Sequence, residues 1–114
     1  MSLAKRIAAK RAEKERGFVD VDEWGDEGNP LRLYFHEVSA KDIEKVQRKH
    51  KEFLNTPTMS GMVDMIIQKC QDEKGDNAFT LEDKPILMRE TINVIAKVFG
   101  SIFETMSAEE HEKN

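Results

Sequence analysis

The sequence predicts an α+β domain, mostly α-helical, in which one β-hairpin near the N-terminus packs against three or four helices. Three observations predict this class. Residues alternate between apolar and polar in two short stretches, Phe18-Val19-Asp20-Val21-Asp22 and Leu31-Arg32-Leu33-Tyr34-Phe35-His36. The longer stretches that follow carry apolar residues at helical spacing instead. The 114 residues are enough for one hydrophobic core and too few for two.

Residues 1 to 16 form a basic N-terminal segment, in which Lys5, Arg6, Lys10, Arg11, Lys14 and Arg16 outnumber Glu13 and Glu15. Its apolar positions Leu3, Ile7 and Ala8 make only a thin stripe, which predicts a frayed or partner-dependent helix. Residues 17 to 106 form the single globular domain, and 107 to 114 a polar acidic tail. Within the domain, Leu31, Leu33 and Phe35 share one strand face. The intervening Glu23 to Pro30 supplies turn residues for an antiparallel hairpin with a loop longer than the tightest kind.

Ser39 is positioned as a helix N-cap with Asp42 three residues on, and Ile43, Val46, His50, Phe53 and Leu54 extend a helix over about 40 to 54. Asn55-Thr56-Pro57 stops it and restarts the chain, with Thr56 as cap and Pro57 at the first helical position. Met59, Met62, Val63, Ile66, Ile67 and Cys70 then form a broad stripe that marks the central core helix, with Met65 beside it. Gln71 to Asn77 is a polar turn, and Ala78-Phe79 pairs briefly or anchors the loop. Thr80 caps a short turn, and Pro85 starts a brief helix. A last helix over about 90 to 104 carries Ile92, Ile95, Val98, Phe99, Ile102, Phe103 and Met106 at helical spacing.

Composition excludes several functional classes. No apolar run reaches the roughly 20 residues of a membrane span, and the N-terminus lacks the apolar stretch of a secretory signal, so a cytoplasmic protein is expected. The single cysteine, Cys70, rules out an internal disulfide and a cysteine-based zinc site. A net charge of -4 makes nucleic acid an unexpected main partner.

The segment from Asp72 to Asp83 has the length of a calcium-binding EF-hand loop, yet Lys74, Asn77 and Asp83 occupy places that demand a ligand, a glycine and a bidentate glutamate. It is expected to be a plain acidic loop. His36, His50 and His111 share no metal-ligand spacing, and no nucleophile elbow, phosphate-cradling loop or dinucleotide fingerprint occurs. No enzyme activity, metal or cofactor is expected.

Two features point to protein partners. Methionine is a flexible side chain that suits adaptable surfaces as well as core gaps, and Met65, Met88 and Met106 lie on or near apolar faces. The last helix carries an apolar stripe large for a domain of this size, which core packing and self-association both account for. The candidate partner-binding residues are therefore Met65, Met88, Phe99, Ile102, Phe103 and Met106.

The order of the motifs resembles a known family. Glu23-Trp24-Gly25 is followed by Leu31-Arg32-Leu33, by the helix start Ser39-Ala40-Lys41-Asp42 and by an apolar helix ending in Cys70-Gln71-Asp72-Glu73-Lys74-Gly75. Phe79-Thr80-Leu81-Glu82-Asp83 and Val98-Phe99-Gly100-Ser101-Ile102-Phe103 complete the pattern. Together they resemble the tail assembly chaperones of siphophages over about residues 18 to 105, in the short, non-frameshifted form. The resemblance implies a protein that binds the phage tape measure protein, keeps it soluble and helps recruit the major tail protein. It also implies self-association, and a location in the host cytoplasm outside the mature virion. The basic segment 1 to 16 and Asp26-Glu27-Gly28-Asn29 depart from the pattern. The alternative is a small nucleic-acid-associated regulator that uses the basic segment.

Overall fold

The computed structural model describes residues 2–113, with side chains through Glu104. Its elements run α1 (Leu3–Glu13), β1 (Gly17–Asp26), β2 (Asn29–Phe35), α2 (Ala40–Gln47), α3 (Met59–Lys69), a 3₁₀ turn (Leu81–Asp83), α4 (Lys84–Leu87) and α5 (Ile92–Lys113). The fold is α+β and mostly helical, as its sequence predicts.

β1 and β2 pair antiparallel from Gly17↔Phe35 to Val21↔Leu31. The period of two sends Val19, Val21, Leu33 and Phe35 into the core, while Leu31, near the turn, is left partly exposed. On the opposite face Arg32 grips Asp20 through two hydrogen bonds of 2.7 and 3.1 Å and lies 4.0 Å over the Phe18 ring.

The turn differs from expectation. The strands continue through Trp24 and Gly25 to a two-residue loop, Glu27-Gly28, in which Gly28 takes a φ of 77°. A register shift between Val21 and Asp26 makes this continuation possible, placing an irregular stretch of β1 opposite Pro30. Pro30 has no N–H for the ladder, so a bulge is the natural solution there. Gly25 lies so close to β2 that a Cβ would fall 2.1 Å from the Asn29 carbonyl oxygen.

Ser39 and Asp42 form the expected capping box, at 3.2 and 2.9 Å, and α2 follows. The helix stops at Gln47 instead of running to residue 54. Tertiary contacts overrule the helical spacing here: Phe53 drops into the core edge-on to Phe99 at 5.8 Å, and His50 turns to Asp64 of α3. The cap of α3 is also displaced, because the Thr58 hydroxyl accepts from the Gly61 N–H at 3.0 Å and Met59 becomes the first helical residue. Pro57 therefore precedes the helix.

α3 is the centre of the molecule and touches α2, α4 and α5, while α5 also covers β1. Val63, Met65 and Ile66 are fully buried, and each such side chain contributes roughly 1.5 to 3 kcal/mol. The Thr80–Asp83 cap and the short helix around Pro85 form as expected. Gln71 exchanges backbone hydrogen bonds of 2.9 and 2.7 Å with Tyr34 and forms a further bridge to Asn77, so the outer edge of the hairpin is covered. α5 extends to Lys113 where a tail was expected, since residues 105 to 113 contain neither Gly nor Pro to end it.

α1 is capped by Ser2 and buries none of its own residues. Its C-terminal end is tied down electrostatically. Arg11 and Lys14 both pair with Glu37, and Arg16 donates to the carbonyls of Asp72 and Glu73 at 2.9 and 2.8 Å while lying 4.5 Å over Tyr34. Burial and the cations Lys69, Arg16 and Arg11 hold the nearby His36 below the ordinary histidine pKa.

The two structurally contrasting glycines give a direct test. Gly25→Ala collides with backbone and should cost about 2 kcal/mol or more in urea unfolding. Gly100→Ala, in open space on α5, should stabilise by roughly 0.5 to 1 kcal/mol.

Candidate functional site

Beside α3 lies an open groove of about 600 Å³. One wall is the end of α2 and the turn after it, which contribute Lys45, Val46, Arg48 and Lys49; the opposite wall is the segment Asn77 to Leu81; Asp64, Ile67 and Gln68 of α3 lie between them. Its apolar surface comes mainly from Leu81 and the half-buried Phe79, with the nearly buried Val46 and Ile67 at its floor. Leu81 is 63% exposed, an apolar side chain held out at the edge of the groove by the capped 3₁₀ turn. Phe79 is kept in place from behind by Trp24, which meets it edge-on at 5.9 Å, and Trp24 in turn donates its indole N–H to Glu90 at 2.9 Å. The bulge at Gly25 thus aims Trp24 at the wall of the groove.

Asp64 is the one buried charged residue within the described core. Its Oδ2 lies 2.7 Å from His50 Nε2, and its Oδ1 faces Lys84 Nζ at 2.9 Å. Lys84 also donates to the Ser60 hydroxyl at 2.8 Å. Burial alone would raise the Asp64 pKa, but the Lys84 ammonium and the hydrogen-bonded His50 ring outweigh it and hold the carboxyl below its ordinary value. Asp42 is handled likewise: burial opposes its charge, and Lys69 at 2.8 Å together with Ser39 overcomes that effect. Gln68 turns its amide away to the Asp42 carbonyl at 3.0 Å.

The candidate partner residues do not gather here. Met65 and Ile102 are fully buried, which corrects the expectation that they face a partner: α3 is covered on several sides, and Ile102 points into the same core. Phe99 and Phe103 are half-buried, their rings tilted against each other at 4.8 Å along α5, and pack against the core. Met88 is 43% exposed at the end of α4, and the Met106 side chain lies outside the described residues. None of the described five lines the groove. The groove residues missed by the sequence reading carried one visible signal, the i, i+3, i+4 spacing of Lys45, Arg48 and Lys49, which also describes an ordinary solvated helix face.

In the acidic loop, Asp72 Oδ1 accepts from the backbone N–H groups of Lys74 and Asp76, at 2.9 and 3.0 Å, and Asp83 accepts from the Thr80 N–H at 2.8 Å. These carboxylates serve the turns. Among the described residues, no three His, Cys, Asp or Glu side chains are grouped to hold a metal ion, and no helix is long and apolar enough to cross a membrane. Burial raises the Cys70 thiol to about 12, far from a thiolate at neutral pH. Comparison with protein-family models, curated proteins and solved structures finds no match for this chain.

Two measurements test this architecture. Because the folded Asp64 pKa is lowered, its stabilising effect is complete above about pH 4 and is lost as pH falls through the lowered value. Asp64→Asn should therefore flatten the acid limb of the stability curve relative to the parent protein, as followed by urea titrations at stepped pH. Ile102→Ala should cost about 2 to 5 kcal/mol, against roughly 0.5 kcal/mol or less for Met88→Ala.

Proposed function

We propose that this chain is a non-enzymatic assembly chaperone that holds an amphipathic helix of a client protein in the groove between α2 and the 77–81 segment. The observation that carries this reading is the groove itself, with the outstanding Leu81 and the half-buried Phe79 offering apolar contact above the nearly buried Val46 and Ile67. A helix laid in such a groove buries its apolar face without any reactive group being needed. The motif resemblance names the client class: a phage tape measure protein whose long helices need cover during tail assembly, with the major tail protein recruited afterwards. A long client takes several copies of the chaperone, and the assembly takes place in the host cytoplasm.

The nucleic-acid alternative draws less support. Three of the six basic residues in segment 1–16, Arg11, Lys14 and Arg16, are already engaged by Glu37 and by the 71–73 turn.

Co-expression with the tape measure protein of the same genome is the direct test. The expected outcome is a soluble client that co-purifies with the chain. Leu81→Asp should abolish co-purification while changing stability by no more than about 0.5 kcal/mol, since the side chain is exposed. A client that stays insoluble with the parent chain rejects the proposal.

A further inference from the structure

We infer that the helix held in this groove carries carboxylates along the flank that faces α2, so that the partner is an acidic-flanked amphipathic helix and not a purely apolar one. This rests on the groove being the client site. Lys45 in the last turn of α2, and Arg48 and Lys49 just beyond its end, are exposed and line one wall. Arg48 has only Glu44, at 3.7 Å with both side chains at least 70% exposed. Among the described residues, the side chains of Lys45 and Lys49 have neither an ion-pair nor a hydrogen-bond partner.

Nothing within the groove offsets this charge. Asp64, the acidic residue that lines it, is matched by His50 and Lys84, so its carboxylate adds little negative field. The opposite wall presents Asn77, Phe79, Thr80 and Leu81, none of them charged. Two unpaired lysines, and an arginine whose ion-pair partner is the exposed Glu44, thus border an apolar groove on a chain whose net charge is -4. Such a juxtaposition is complementary to a segment with an apolar face and an anionic edge, and charges at a rim set orientation and partner choice. A nucleic-acid strand fits less well. Its bases need an exposed aromatic platform, and Phe79, the groove's one aromatic, is half-buried and covered by Trp24.

The test uses the full chain and three fluorescent helical peptides that share one apolar face and carry Glu, Gln or Lys at the flank positions, titrated by fluorescence anisotropy. The Glu peptide should bind tightest and the Lys peptide weakest, about tenfold or more apart at low salt and converging as salt rises. The combined variant Lys45→Glu, Arg48→Glu, Lys49→Glu should reverse the order with an unchanged melting temperature, and Leu81→Asp should weaken all three peptides. Equal affinities that all fall with Leu81→Asp would overturn the acidic flank and leave the groove as client site. Failure of every peptide to bind would overturn both. A single-stranded DNA oligonucleotide that displaces the Glu peptide, and loses binding in the triple charge variant, would overturn the inference in favour of nucleic acid.

Discussion

Burying α3 on several sides at once brings its one carboxylate, Asp64, into the interior, and much of the surrounding chain is arranged around that fact. An ion removed from water costs several kcal/mol unless it is paired and hydrogen-bonded, and Asp64 meets two cationic or potentially cationic groups from different elements. His50 comes from the irregular turns after α2, and Lys84 from the start of α4. The position of His50 helps explain why α2 ends at Gln47, since a helix continued through residue 54 would carry His50 and Phe53 on along its axis. Phe53 shares the constraint, packing against Gly61 so closely that a Cβ there would approach its ring to 3.0 Å. A short α2 and a capped turn at Leu81 then stand apart over α3, and the space between them is the groove.

A second constraint acts from the hairpin. Pro30 breaks the ladder, β1 bulges, and Gly25 permits the backbones to approach where no side chain fits. The bulge turns Trp24 toward Phe79 and Glu90. The Trp24-Gly25 pair is therefore explained as a device that supports the groove wall from the far side of the molecule. It links a turn at the N-terminal end of the sheet to the surface of the helical half.

Local chemistry was legible in the sequence and spatial convergence was not. The strand alternation at 18–22 and 31–36, the capping box of Ser39 and Asp42, the stripe of α3 and the cap at Thr80 each depend on residues within a few positions of one another, and each forms. The end of α2 depends on Asp64, far along the chain, and no local pattern announces it. Met65 was set beside the stripe because a helical wheel assumes one solvent face, which α3 lacks. The groove has no local signature in the sequence, because its walls come from residues 45 to 49 and 77 to 81, which meet only in the folded chain. Asp64 inside an apolar helix was the nearest thing to a signal, since a lone acid there demands partners from elsewhere.

Charge distribution separates the two basic regions of the molecule. In α1 and the three residues that follow, Arg11, Lys14 and Arg16 are turned inward on Glu37, on two backbone carbonyls and on the Tyr34 ring, which fastens an otherwise unburied helix to the domain. These cations are largely used within the chain. Those at the end of α2 and just beyond it are not: the Lys45 and Lys49 side chains have no partner among the described residues, and Arg48 has only the exposed Glu44. Exposed surface cations by themselves decide little, because pairs in water are worth at most about 1 kcal/mol each. Beside apolar surface the balance changes, since a partner that covers Ile67 and Leu81 also removes water from the lysine and arginine heads and makes their matching a condition of binding. On a chain whose net charge is -4, this groove, where apolar contact and positive charge coincide, then favours an anionic partner more than the acidic surface does.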